Sequence, residues 1–370
     1  MLVNVNPKIL IWAREERFGK LPITEVASQI RVEVGDLTKW ELEGSTVPFD
    51  TLELLAKAYK KQTAVFFLPE TPPKTKKIKD FRNLAMGGGN FSPDTLLANR
   101  RAERYLELAR ELEGSSYWNQ QYEWTKYFAG KKENVREEAI CLRALLGSPQ
   151  DGKINKKRSD EAFRYWRNKV EEKLGIFVFQ FSIPEDELDG FSYAFDQFPY
   201  AIIINNKKAP VRKIFTLFHE LSHIFKHEPG ACKTDSPSAD RQFSIELECN
   251  NFAGEFLIPH ENLKIAHTAD EMYELAKPFN VSGEVYLRRL FDEKKISRDT
   301  FFDLLPEVRA KSNNFVRTKP DNGPRSRVIL SKSSRGKKFF DLVINAAVTN
   351  KISYSTASDL LELKVGNIRV

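Results

Sequence analysis

The sequence predicts an α+β fold that is mostly α. It comprises an N-terminal helix-turn-helix bundle, a central domain joining a small sheet to a long amphipathic helix, and a basic C-terminal helical region. Three observations predict it. Short helical stretches punctuated by Pro and Gly fill residues 6–68. β-branched and aromatic runs are confined to residues 176–204. Helical periodicity with one charged face dominates most of the remainder. At 370 residues the chain is too long for one compact core in most folds, so two or three domains are expected.

In chain order, Pro7 suits the first turn of a helix to about Arg17. A second helix runs from Ile23 to Ile30, a third from about Gly35 to Glu41, and a fourth follows Pro48 and buries Leu52, Leu54, Leu55 and Ala58. The tight turn between the second and third is the helix-turn-helix pattern, and this unit is assigned to residues 1–70. TPPKTKKIKD opens a linker over 71–90 that ends in GGGN. Helices from Ser92 to Leu112, 135–147 and 158–174 make a connecting region, 91–175. Three strands, Ile176–Phe181, Phe191–Phe195 and Tyr200–Ile204, then open the central domain, 176–310. It continues with helices from Pro210 to His227, from Phe243 to Leu257, and over 270–305. In the last region, 311–370, residues 312–336 read as loop and two short helices finish the chain.

Composition narrows the function classes. An apolar content of 41% and a charged content of 29% describe a globular chain rather than a disordered one. No apolar run is long enough to span a bilayer, and the N-terminus lacks the pattern of a secretion signal. Cys141, Cys232 and Cys249 are odd in number and far apart, which argues against a disulfide framework and for a cytoplasmic protein. The absence of a C-x-x-C pair argues against a cysteine-based zinc site. The net charge of +7 is unevenly placed. Residues 1–70 hold nine Lys+Arg against ten Asp+Glu, whereas residues 311–370 hold twelve against four. A basic tail attracts nucleic acid or an acidic partner, or is a solvated surface.

The sharpest motif is His219-Glu220-Leu221-Ser222-His223, inside the amphipathic stretch KIFTLFHELSHIFKH. Residues four apart on a helix lie on nearly the same face, so His219 and His223 can offer two imidazoles to one ion. Glu220 sits about 100° around the helix, within reach of a water on that ion. Zinc suits this chemistry because it lowers the pKa of a bound water towards about 7. Context supports the motif: all five histidines lie between 219 and 267, and a strand-like run, YAIIIN, precedes it. If that strand is an edge, an extended substrate can pair with it. The competing reading is two buried histidines satisfied by hydrogen bonds.

A catalytic zinc needs a third protein ligand and one open position. The metzincin spacing fails, because position 229 is Pro. His227 lies two turns from His219, about 12 Å along the axis, too far for one ion. The next helix, SIELECNNFAGEFLIP, offers Glu246 and Glu248, which point about 200° apart. Glu246 falls within the apolar stripe of Ile245, Cys249, Phe252, Ala253, Phe256 and Leu257; Glu248 falls on the polar edge. A carboxylate on a buried face needs a cation, which selects Glu246, with a salt bridge to Arg or Lys as the competing reading. Asn250, four residues on, stands where it can orient a ligand.

These residues resemble the ImmA/IrrE family of metallo-endopeptidases, in its longer members with an N-terminal XRE-type helix-turn-helix. The resemblance is carried by NPKILIWARE, WELEGSTVPFDTLELLAKAYKKQTAVFFLPETPP, DFRNL, IIINNKKAPVRKIFTLFHELSHIFKH and ELECNNFAGEFLIP. It implies a gluzincin-like zinc site whose third ligand lies in a Glu-x-x-(Ala/Cys)-Asn pattern, here Glu246, Cys249 and Asn250. It also implies limited cleavage of a repressor protein, with Glu220 as general base and then proton donor. The alternative is a DNA-binding or protein-binding regulator whose metal site is not catalytic.

For DNA, the opening of the third helix reads Val32-Glu33-Val34-Gly35-Asp36-Leu37-Thr38-Lys39-Trp40. Thr38 and Lys39 are its candidate DNA-binding residues, but Glu33 and Asp36 face the same way and the unit carries little positive charge. A docking module for the repressor is the competing expectation. The C-terminal stretch GKKFFDLVINAAVTNKISYSTASDLLELKVGNI, preceded by Arg325, Arg327, Lys332, Arg335, Lys337 and Lys338, is the better electrostatic candidate for nucleic acid.

Overall fold

The computed structural model describes residues 2–19, 21–42, 46–59, 61–71, 91–118, 124, 134–147, 158–193, 199–226, 231–232, 240–314 and 326–368. The expected linker lies outside them from residue 72 to 90, as do His227, Pro229 and Arg325. The chain folds as two compact units, Met1–Arg101 and Ala102–Val370. It is mostly helical with two small sheets. No helix among the described residues is long and apolar enough to cross a membrane.

The first unit runs β1 (Leu2–Asn4), α1 (Pro7–Phe18), α2 (Ile23–Ile30), α3 (Val34–Leu42), β2 (Thr46–Pro48) and α4 (Phe49–Tyr59). Pro7 opens α1, and the Asn6 side chain accepts from the Lys8 amide to cap it. Ile9, Leu10, Val26, Leu37, Leu52, Leu55 and Phe66 form a fully buried core. β1 and β2 pair antiparallel with Val3 opposite Val47. At three residues each, neither strand carries enough alternation to be read from sequence. Leu54, expected in the core of α4, is exposed instead. The helix α5 (Pro93–Trp118) starts in this unit, where Arg17 donates to the Pro93 carbonyl and pairs with Asp94. Its first turns therefore group with the N-terminal helices rather than with the connecting region expected from residue 91.

The second unit continues with α6 (Val135–Leu146), α7 (Ser159–Leu174), β3 (Phe177–Phe181), β4 (Gly190–Tyr193), β5 (Ala201–Asn205), α8 (Pro210–Phe225) and β6 (Ala231–Cys232). It is completed by α9 (Asp240–Leu257), α10 (Ala269–Ala276), α11 (Gly283–Asp292), α12 (Arg298–Asn314), α13 (Arg327–Arg335), α14 (Lys337–Val348) and α15 (Tyr354–Leu361). The sheet order is β3-β5-β4-β6, with β5 parallel to β3 and antiparallel to β4. β3, β4 and β5 are buried at every position, which is why their sequences do not alternate. Val178, Ile202 and Ile204 join the core built by α7, α8 and α9. On the other face, Phe177 and Phe179 pack edge-on against Phe339 of α14, and Tyr105 of α5 stacks on that ring.

Two expectations are corrected here. β5 is an interior strand, bonded to β3 on one side and β4 on the other, so YAIIIN offers no edge to a substrate. Residues 327–335, expected as loop, form α13, so three helices rather than two finish the chain. Only Ser331 and Arg335 of α13 are buried, which leaves RVILSKSSR without an apolar stripe to read.

Candidate metal centre

The site is built on α8. Pro210 opens the helix, and every residue from Ile214 to Phe225 is buried, because α8 lies between the sheet and α7 and α9. Its approach to the sheet depends on Gly190 in β4. A Cβ there would stand 2.6 Å from the Ile203 carbonyl oxygen and 2.7 Å from Cγ2 of Thr216, one turn before His219. Packed this way, His219 and Glu220 are fully buried and His223 nearly so. α9 is held against α8 by Phe256 stacked on Phe218, ring centroids 4.0 Å apart, and by Phe252 edge-on to Phe225.

That packing brings Glu246 of α9 onto the two histidines. Nε2 of His223 lies 3.1 Å from Nε2 of His219. Glu246 Oε2 is 3.3 Å from the His219 nitrogen, and Oε1 is 3.5 Å from that of His223. Nδ1–H of His219 donates to Oδ1 of Asn250 at 2.9 Å, which leaves the lone pair on Nε2 facing His223 and Glu246. Glu248 points away, pairs with Lys226 at 2.9 Å and is half exposed.

Electrostatics follow the geometry. Burial would push the Glu246 carboxyl up, but its hydrogen bonds to His219 and His223 hold it far below the ordinary carboxylate range. Burial lowers the His219 ring against the opposing pull of Glu246, and His223 adds to the lowering. Burial also acts to lower His223, but Cys249, Glu246 and Glu220 outweigh it and hold that ring well above its usual value.

The donor set fits a divalent cation. The three ligand atoms lie within 4.8 Å of one another. Two nitrogens and one carboxylate oxygen on a tetrahedral zinc, with bonds of about 2.0–2.1 Å, would be separated by about 3.3–3.4 Å. The two imidazole nitrogens stand 3.1 Å apart, and each Glu246 oxygen approaches one of them at a similar distance, Oε2 to His219 at 3.3 Å and Oε1 to His223 at 3.5 Å. Of the remaining described histidines, His260 bonds Glu293 at 2.6 Å, and His267 stands apart from the cluster. Sequence reasoning had Cys249 only as an apolar-stripe residue and part of a family pattern. Its spacing of three from Glu246 marks the face it shares with that residue.

The DNA candidates sit elsewhere. Thr38 is half-buried and its hydroxyl donates to the Val34 carbonyl at 2.7 Å, so it is satisfied inside α3. Lys39 is exposed on α3, but so are Asp36 of that helix and Glu33 just before it.

Comparison with known proteins bears on the second unit. No curated protein matches the chain. Residues 171–291, which run from the end of α7 through α11 and include both helices of the metal centre, match the Peptidase_M78 family, described as the IrrE N-terminal-like domain. The match supports a metallopeptidase role for this part of the chain and its similarity to the ImmA/IrrE family.

Proposed function

We propose that the chain is a zinc-dependent endopeptidase that cuts a partner protein, with a transcriptional repressor as its substrate. The observation that carries this reading is the convergence of His219, His223 and Glu246 beside a buried Glu220 on the same helix. A purely structural ion has no use for that fourth residue. Zinc bound there supplies Lewis acidity to a water and to the scissile carbonyl. Glu220 takes the water's proton and passes it to the leaving amine. Asn250 fixes the His219 tautomer, and Glu246 provides the negative charge that holds a dication. Residues 1–70 are the docking module: with nine basic against ten acidic residues, they suit protein recognition better than phosphate contact.

The test uses the zinc-loaded full chain incubated with a panel of helix-turn-helix repressors from its own source, with fragments identified by mass spectrometry. Wild type should cut at one or a few bonds. Glu220→Gln should bind zinc equally well and cut slower by on the order of 10²- to 10⁴-fold. Undiminished cleavage by that variant, or no cleavage by wild type, would reject the reading.

A further inference from the structure

Away from the metal centre, α7, β3, the first turn of α8 and α13 enclose a cleft of about 630 Å³. That volume falls within the range of about 300–1,000 Å³ typical of small-molecule sites. Its lining is strongly basic: Arg158, Arg164, Arg167, Lys213, Lys332 and Lys337 against Asp160 and Glu161. Three of the six cations already have acids, since Arg158 pairs with Asp160, Lys337 with Asp341 and Arg167 with Glu171. The other three have no acidic partner among the described residues. Lys213 donates to the Gln180 side-chain oxygen and lies over the Phe163 ring; Lys332 lies over Phe340.

Lys213 is the informative one. It is largely enclosed and stands near Arg167; burial, with the Arg167 charge adding to it, lowers its ammonium to about 8. Its only side-chain hydrogen-bond acceptor among the described residues is the neutral Gln180, so an entering anion meets a cation with no acid of its own. The cleft also carries apolar surface. Ile329 and Leu330 of α13 are 55% and 51% exposed although both line it. Charge at one part and apolar side chains at another match a ligand with an anionic end and a flat apolar body.

We infer that this cleft binds a phosphorylated small molecule of mononucleotide size, its phosphates on Arg164, Lys213 and Lys332 and its base against Ile329 and Leu330. Guanidinium and ammonium groups converging on one anion make charge-assisted hydrogen bonds about twice as strong as neutral ones. Lys213 lies in the first turn of α8, so an occupant touches the helix that carries His219 and His223.

The test is titration of the full chain with a fluorescent mant-ADP probe in phosphate-free buffer, with competition by unlabelled ADP, by pyrophosphate and by a short single-stranded oligonucleotide. Wild type should bind saturably, and pyrophosphate should displace the probe. Arg164 and Lys332 are both exposed, so the double variant Arg164→Glu/Lys332→Glu should keep the wild-type melting temperature. It should weaken binding by at least about ten-fold, or about 1.4 kcal/mol. Lys213→Met should do the same without touching the exposed charges. Absence of saturable binding, unchanged affinity in both variants, or displacement by the oligonucleotide more tightly than by ADP would overturn the inference; the last would make the cleft a strip of nucleic-acid surface. The readout is binding, so its failure leaves the peptidase reading untouched.

Discussion

Glu246 and Glu248 stand two residues apart on α9 and meet opposite environments. Glu246 faces two buried imidazoles, and Glu248 faces Lys226 at the surface. The helical repeat alone separates them, because about 200° of rotation cannot bring both onto one ion. This much of the site was legible in the sequence. What was not legible is the neighbourhood of each ring: that Asn250 holds Nδ1 of His219, and that Cys249 stands beside His223, are consequences of how α9 rolls against α8. The proposed ligand set predicts a contrast measurable by zinc competition with a chelator. Glu246→Gln should lower zinc affinity by at least about 100-fold, Asn250→Ala by about 10- to 100-fold, and Glu248→Gln hardly at all. Equal losses at Glu246 and Glu248 would exclude the assignment.

At the scale of elements, α8 was readable because one helix carries every cue: Pro210 at its start, an apolar stripe and the paired histidines. The strand before it was readable as a strand but not as an interior one. Its fully buried sequence reads the same whether its neighbours lie on one side or two, and one neighbour, β4, also pairs with the two-residue β6, too short to leave a signal. The close seating of α8 on the sheet rests on Gly190, where an added methyl would meet backbone on one side and Thr216 on the other. The Ile203 carbonyl cannot retreat without breaking the ladder, so α8 must shift instead. Gly190→Ala should therefore cost about 1–3 kcal/mol of stability, read from chemical denaturation, and should lower zinc affinity by displacing His219. A variant with wild-type stability and unchanged affinity would show that the helix is not held by this contact.

Across the second unit, the largest gap between sequence and structure concerns the last helices. Their charge reads as a basic surface, yet part of it is met by partners within the fold. Arg335 is buried, donates to the Leu360 carbonyl and pairs with Glu362, and Lys337 pairs with Asp341. Such partners lie across the fold or one turn away, and a count of charges along the chain cannot show them. α13 also shields the open edge of β3, where Ser334 donates to the Gln180 carbonyl and Gln180 to that of Ser333. One buried pair ties this arrangement together. Glu171 accepts from the amides of Lys337 and Lys338 at the start of α14, while its partner Arg167 donates to Ser333 and Val178 carbonyls. Gly336 passes beside this pair with φ of +80° and room for no Cβ. The family match ends at residue 291, so a minimal peptidase cut there would lack the layer that covers Phe177 and Phe179. Glu171→Ala should destabilise the full chain by about 3–5 kcal/mol, because it leaves Arg167 as an uncompensated buried charge. Removal of residues 326–370 should abolish the cooperative thermal transition of the second unit in calorimetry. If the truncated chain instead melted cooperatively at the wild-type temperature and bound zinc, the C-terminal helices would be an appendage rather than half of the sheet's packing.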